Sequence, residues 1–379
     1  MDKDTRWSLR SLLFLLLAVT LFLLSIDMLG LGLNRMAGSS LVNITTATSN
    51  PFIGLFIGLL VTAILQSSST TSSLAVAAVA SGAITLENAI PMIIGANVGT
   101  TITSTIVAFG FITKGNEFER AMSAAMLHNM FNILGVILIF PLELNYHFLQ
   151  DLSYTISSSI PVASGSINSF WLSQFFDVIG LFILKWTGRF VLLVVSIVLL
   201  FAAIKMLSQL LYTHMLGSRK ERFQNIVFKN SLRSLGWGML MTAVVQSSSL
   251  TTSLIVPLVA TGKVSNQRAF QFIMGANIGT TITAILAALF RSEAAMSLAI
   301  VHFLFNVIVT LIFLILPLIG KIPVFCAEKI SYLMARYRIS ALVYITLIFF
   351  TIPFSLIYFN KAENDKPPVQ TETKNQEEP

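Results

Sequence analysis

Charge is what this sequence has least of. Asp, Glu, Lys and Arg make up 11% of its 379 residues, against about 25% in an ordinary water-soluble domain. Hydrophobic residues make up 55%, and the mean hydropathy is +0.81. These values exclude a soluble globular class. Cysteine is almost absent. Cys326 stands alone, so neither an intramolecular disulfide nor a cysteine-based zinc cluster can form, and Cys326 reads as a small buried hydrophobe. Alternation is missing too. The runs Leu12 to Leu24 and Val191 to Ala203 do not alternate, which excludes the strands of a membrane β-barrel. No small-residue cleavage site follows the first apolar run, which continues to about Leu33. That run therefore reads as a retained first transmembrane helix rather than a signal peptide.

Apolar runs that reach or approach the ~20 residues needed to cross a bilayer recur along the chain. They point to an all-α polytopic membrane protein. Inside one of them, TAILQSSSTTSSLAVAAV from Thr62 to Val79, an amide and seven hydroxyls stand in a row. Hydrocarbon offers such groups no hydrogen bonds, and each unpaired one costs free energy there. The pattern occurs twice. TAVVQSSSLTTSLIVPLV begins at Thr242, so Gln66 maps to Gln246 at an offset of 180. The same offset joins GANVGTTIT from Gly95 to GANIGTTIT from Gly275, and just over half of the positions from Thr62 to Ser104 match their partners. HNMFN, His128 to Asn132, pairs with HFLFN, His302 to Asn306, at an offset of 174. Internal duplication predicts repeat 1 over 51–141 and repeat 2 over 235–317. The N-terminal segment, first span and loop then occupy 1–50. A linker, a scaffold helix and a basic loop fill 142–234, and a loop and last span fill 318–360. A polar tail over 361–379 reads as disordered.

Positive charge sets the expected orientation. With the N-terminus in the cytoplasm and each polar segment folded back as a re-entrant hairpin, sixteen Lys and Arg lie inside and five outside; Lys185, Arg189 and Lys205 stay unassigned. That arrangement makes the halves inverted-topology repeats, each a re-entrant QSSS hairpin followed by transmembrane helices, with an external C-terminus. The net charge of +7 thus reflects topology rather than nucleic-acid binding. Inverted repeats with polar, interrupted helices point to a secondary transporter with a central site.

The motifs themselves contain no Asp, Glu, Lys or Arg. They offer Gln66, Ser67, Ser68, Ser69, Asn97, Thr100 and Thr101, and opposite them Gln246, Ser247, Ser248, Ser249, Asn277, Thr280 and Thr281. A neutral oxygen-rich site suits a desolvated Na+, or an anion held by hydroxyls, amides and helix N-termini. An anion without a fixed Arg needs accompanying cations, hence coupling. Gly95, Gly99, Gly275 and Gly279 follow the small-xxx-small spacing of close helix packing, and they also flank the Asn and Thr–Thr pairs. His128 and His302 fit a shared structural tie better than a proton relay, with Asn132 and Asn306 one turn further on the same face. An intramembrane serine hydrolase is disfavoured, because no G-x-S-x-G elbow is present and the serine clusters are duplicated. An uncoupled anion channel is a further alternative.

QSSS, GAN[VI]GTT and HxxFN, each present twice, resemble the type II sodium-dependent phosphate cotransporter family, from about residue 50 to 360, including RYRISALVYITLIFFTIPF. The resemblance implies sodium-driven import of inorganic phosphate across the cell membrane, with Na+ as a transported ion and no cofactor. Gln66 to Ser69 and Gln246 to Ser249 would bind phosphate and sodium, and the Asn and Thr of both GANxGTT motifs would line the cavity. Arsenate or sulfate is the alternative cargo. Electrogenic animal members carry Asp, in HDFFN, where this chain has Asn129, which marks Asn129 as a possible sodium or coupling position beside Asn132 and Asn306. The short cysteine-free linker implies a bacterial member, in which the sequon Asn43-Ile44-Thr45 would be idle. One hydrophobic span follows repeat 2, where the animal proteins continue with another.

Overall fold

The computed structural model describes residues 9–35, 48–159, 171–216, 226–289 and 291–364. The sequon and nearly all of the polar tail lie outside them. Every regular element among the described residues is helical. The helices are α1 (Leu9–Arg35), α2 (Pro51–Leu65), α3 (Ser68–Ala80), α4 (Leu86–Thr100), α5 (Ile102–Phe109), α6 (Gly115–Tyr146), α7 (Phe148–Ser159) and α8 (Trp171–Leu216). The second half adds α9 (Ser231–Val245), α10 (Ser248–Ala260), α11 (Asn266–Ala288), α12 (Glu293–Ile315), α13 (Pro317–Arg336) and α14 (Arg338–Ile345). A π-helical turn, Thr346–Thr351, leads into α15 (Ile352–Asn364). Among the described residues, five stretches are long and apolar enough to cross a bilayer: Leu86–Phe109, Gly115–Tyr146, Asn266–Ala288, Glu293–Ile315 and Arg338–Phe359. The protein is an integral membrane protein. In α1 and α8, also expected as spans, the described apolar stretches are shorter, Leu13–Leu29 and Gly188–Leu200.

Local chemistry sets the boundaries. Asn50 caps α2 by accepting from the backbone N–H of Phe52 and Ile53, with Pro51 at the first helical position. Its repeat equivalent, Asn230, caps α9 by accepting from Arg233 N. Both helices stop at a glutamine in the left-handed region, Gln66 at φ 53° and Gln246 at φ 53°. The next serine restarts the chain as a helix: Ser67 Oγ accepts from Thr70 N at 3.2 Å and Ser247 Oγ from Leu250 N at 3.3 Å. Each QSSS run is thus the tip of a helical hairpin.

Glycine sets how closely the hairpins pack. α2 lies on α4, and α9 on α11. A Cβ at Gly58 would sit 1.9 Å from Met92 O, and one at Gly95 1.8 Å from Leu55 O. In the second half Gly238 meets Phe272 O at 2.0 Å and Gly275 meets Leu235 O at 1.9 Å. Backbone therefore touches backbone, and the GANxGTT glycines serve packing.

The two halves interlock. α3 packs on α11 and α12, while its counterpart α10 packs on α5 and α6. α6 and α12 cross in antiparallel sense: Phe131 meets Phe313, and Gly135 meets its own equivalent, Val309. The reciprocity continues past the predicted repeats. α7 packs on α12 and α13 on α6, and Ser157 Oγ bonds Ser297 Oγ at 2.8 Å. At the same offset of 174 the equivalents of that pair are Ser331 and Ser123, both buried. The first part of 318–360, expected as a loop before the last span, is the helix α13, and the expected linker contains α7. α13 buries Gly320, Pro323, Ala327, Ser331 and Met334. Its inner stripe is small rather than apolar, so hydrophobic periodicity does not reveal it.

Candidate functional site

The two hairpin tips meet, and the candidate site lies at their junction. Ser68 Oγ and Ser248 Oγ, equivalent atoms, lie 3.4 Å apart. Around them the contacts come in reciprocal pairs. Ser69 Oγ donates to Gln246 O at 2.9 Å, and Ser249 Oγ donates to Gln66 O at 3.2 Å. Thr283 Oγ1 donates to Ser69 Oγ at 3.3 Å, and Thr103 Oγ1 to Ser249 Oγ at 3.4 Å. The left-handed glutamines free these carbonyls from the helix ladder, and each is taken by a serine of the other half. The N-termini of α3 and α10 therefore converge, each bringing N–H groups that have no carbonyl partner within their own helix. Their dipoles favour an anion, and the surrounding hydroxyl and carbonyl oxygens can ligate a hard monovalent cation. The two sides differ in access. Gln66 is exposed, whereas Gln246 is 7% exposed and its Oε1 lacks a hydrogen-bond partner.

Behind the tips, a second layer joins the repeats. Asn97 Nδ2 donates to Ile93 O at 3.1 Å, so its Oδ1 faces away to accept. His302 Nε2 lies 3.1 Å from that oxygen, and Asn306 Nδ2 donates to it at 3.3 Å. This network assigns the His302 proton to Nε2. The histidine thus ties α12 to α4 of the other repeat. In the other copy Asn277 lies near His128, but His128 Nε2 has no partner of hydrogen-bond geometry; Asn277 Nδ2 donates to Ile273 O. Asn132 Nδ2 and Asn306 Nδ2 both donate one turn back, to the histidine carbonyls. Thr100 and Thr280 donate to Ala96 O and Ala276 O, and Thr281 to Ile278 O. The threonine hydroxyls are thus engaged with their own helices.

Asn129 lies apart from the tips, fully buried. Its Oδ1 receives Thr101 Oγ1 at 2.7 Å and Tyr344 OH at 3.2 Å; its Nδ2 donates to Thr105 Oγ1 at 3.2 Å and Ala125 O at 3.0 Å. Repeat 2 has Phe303 at this position.

Buried polar atoms without partners recur in matched pairs: Thr62 Oγ1 with Thr242 Oγ1, Ser73 Oγ with Ser253 Oγ, and Asn132 Oδ1 with Asn306 Oδ1. Thr62 and Thr242 escaped selection from the sequence, although their identity across the repeat was a signal. Tyr344 and Thr105 gave none, since Tyr344 lies outside the duplication.

A sequence profile described as Na+/Pi-cotransporter matches residues 21–157 and 198–356, most of the chain. The chain belongs to this cotransporter family. Among its relatives, human sodium-dependent phosphate transport protein 2B is 28% identical over 93% of this chain and 65% of the relative. The mouse 2A protein is 30% identical over 89% of this chain and 66% of the relative, as is the rat 2A protein. The chain thus spans just under two thirds of the length of these relatives. No solved structure matches it. The family profile spans both hairpin tips, both GANxGTT helices and the π-helical turn.

Proposed function

We propose that the protein is a sodium-coupled importer of inorganic phosphate, working by alternating access in the cell membrane. The reading rests on family membership, on relatives named as sodium-dependent phosphate transporters, and above all on one geometric observation. Two hairpin tips, each ending in a helix N-terminus, meet through reciprocal serine–carbonyl hydrogen bonds. In this reading Gln66 to Ser69 and Gln246 to Ser249 hold phosphate and Na+, the hairpins are re-entrant, and Asn97, Thr100, Thr101, Asn277, Thr280 and Thr281 line the way. Asn129, Asn132 and Asn306 are the sodium or coupling positions. The phosphate meets donors, namely hydroxyls and N–H groups, and Na+ meets carbonyl and hydroxyl oxygens. Bound Na+ offsets the anion's charge where no Arg does.

The antiparallel crossing of α6 with α12 supports an inverted arrangement, because repeats of parallel topology would align equivalent helices. The N-terminus would then be cytoplasmic and the C-terminus external. The unequal access of Gln66 and Gln246 fits one inequivalent state of an alternating pair. The test is labelled phosphate uptake into proteoliposomes under an inward Na+ gradient and under an equal K+ gradient. Sodium-only uptake, abolished in both Gln66→Ala and Gln246→Ala, is expected. Equal uptake in Na+ and K+ would point to a channel, and uptake of arsenate or sulfate in place of phosphate to another oxyanion carrier.

A further inference from the structure

The chain following α13 belongs to neither repeat, yet it reaches a fully buried polar cluster of repeat 1. The π-helical turn Thr346–Thr351 follows directly on Tyr344 and Ile345. Tyr344 lies in the last turn of α14 and Phe349 in the π-helical turn that follows it. Their rings meet at 6.5 Å, edge to face. Phe349 is buried in a cluster with Leu59 and Ala63 of α2, Val98 of α4 and Ile102 of α5. That anchor delivers the Tyr344 hydroxyl to Asn129 Oδ1 at 3.2 Å.

We infer that Tyr344 is a positioning residue for the hairpin-tip site, acting through Asn129 on the break between α4 and α5. Four contacts saturate Asn129, two of them from Thr101, at that break, and Thr105, one turn beyond it. Thr101 Oγ1 has one proton and two acceptors, Val98 O and Asn129 Oδ1, so the Tyr344 proton secures the oxygen whichever way Thr101 turns. The segment so held presents Thr103 to Ser249 of the other hairpin tip. The equivalent helix α11 runs through without a break, with Phe303 where Asn129 would stand. α14 and the π-helical turn thus fix the α4–α5 segment of repeat 1 and make the duplicated site asymmetric.

The inference rests on the transport reading for its functional consequence, but its core is testable without transport. Tyr344→Phe keeps the ring and removes the hydroxyl that donates to Asn129. Backbone hydrogen exchange over Ile102–Phe109 is expected to quicken about fivefold, the scale of one net hydrogen bond, with residues 282–288 of α11 unchanged. Thr105→Val, which reaches the same amide from α5, is expected to do the same. In proteoliposomes Tyr344→Phe is expected to raise the half-saturating Na+ about fivefold at an unchanged maximal rate. In an Asn129→Ala background Tyr344→Phe is expected to add nothing. Unchanged exchange over Ile102–Phe109, or additive effects of Tyr344→Phe and Asn129→Ala, would overturn the inference. If the wild-type protein took up no phosphate, the transport reading would fall, and the exchange measurement would still decide the role of Tyr344.

Discussion

Two glycines on one helix turn, Gly236 and Gly238 of α9, should respond to the same substitution in opposite directions. A Cβ added at Gly238 lands 2.0 Å from Phe272 O and 2.9 Å from its carbonyl carbon. No rotamer can relieve a clash with backbone, so α9 and α11 must part by about 1 Å or more. A gap of that size forfeits about a quarter to a half of each contact it opens. The contact runs the length of both helices, so Gly238→Ala should cost about 3 kcal/mol, the upper end for overpacking. At Gly236 nothing lies within 4 Å of the added atom, and the equivalent position in repeat 1 already carries Phe56. Gly236→Ala gains only the helix preference of alanine, about 0.5–1 kcal/mol. The assay is thermal unfolding in detergent, followed by tryptophan fluorescence at one fixed scan rate, because membrane-protein unfolding is seldom reversible. Gly238→Ala should lower the midpoint by roughly 5 °C or more, and Gly236→Ala should leave it level or raise it. Gly58→Ala, with its Cβ 1.9 Å from Met92 O, should behave like Gly238→Ala. A midpoint for Gly236→Ala at or below that of Gly238→Ala would show that the helices do not touch backbone to backbone there.

Asp27, within the apolar α1, meets Arg291 of the α11–α12 turn at 2.6 Å, both largely buried. Arg291→Ala should cost about 1.5–3 kcal/mol through loss of that charge-assisted bond, seen as a lower unfolding midpoint that Arg291→Lys recovers in part. Asn97→Ala strips His302 Nε2 of its acceptor and should cost about 1–3 kcal/mol. Asn277→Ala, whose His128 Nε2 is already unpartnered, should cost less; equal midpoints would argue against the His302 tie. Ser69→Ala and Ser249→Ala each remove one of two reciprocal bonds at the tips. They should weaken phosphate uptake to similar degrees, and a defect confined to one would argue against a site shared by both hairpins.

Much of this was legible in the amino-acid order. Helices and membrane class follow from apolar runs that neither alternate nor carry charge. The duplication fixes equivalent positions, because both copies keep the caps, the left-handed glutamine and the packing glycines on which each hairpin depends. Other features depended on contacts between distant segments. α13 hid because its buried stripe is built of small residues such as Gly320, Ala327 and Ser331. The pairing of Ser69 with the Gln246 carbonyl crosses 177 positions, and no local pattern encodes which hydroxyl meets which carbonyl. The asymmetry between the halves is likewise tertiary: Asn129 looks like a point difference from Phe303 until Tyr344 arrives beside it, 215 positions along the chain. Local sequence determined the apolar helical spans, where the hairpins turn and which positions are equivalent, because caps, turns and periodicity act over a few residues. Only the folded chain decided which polar groups share a proton, because in a medium without water each must find its partner across the packed helices.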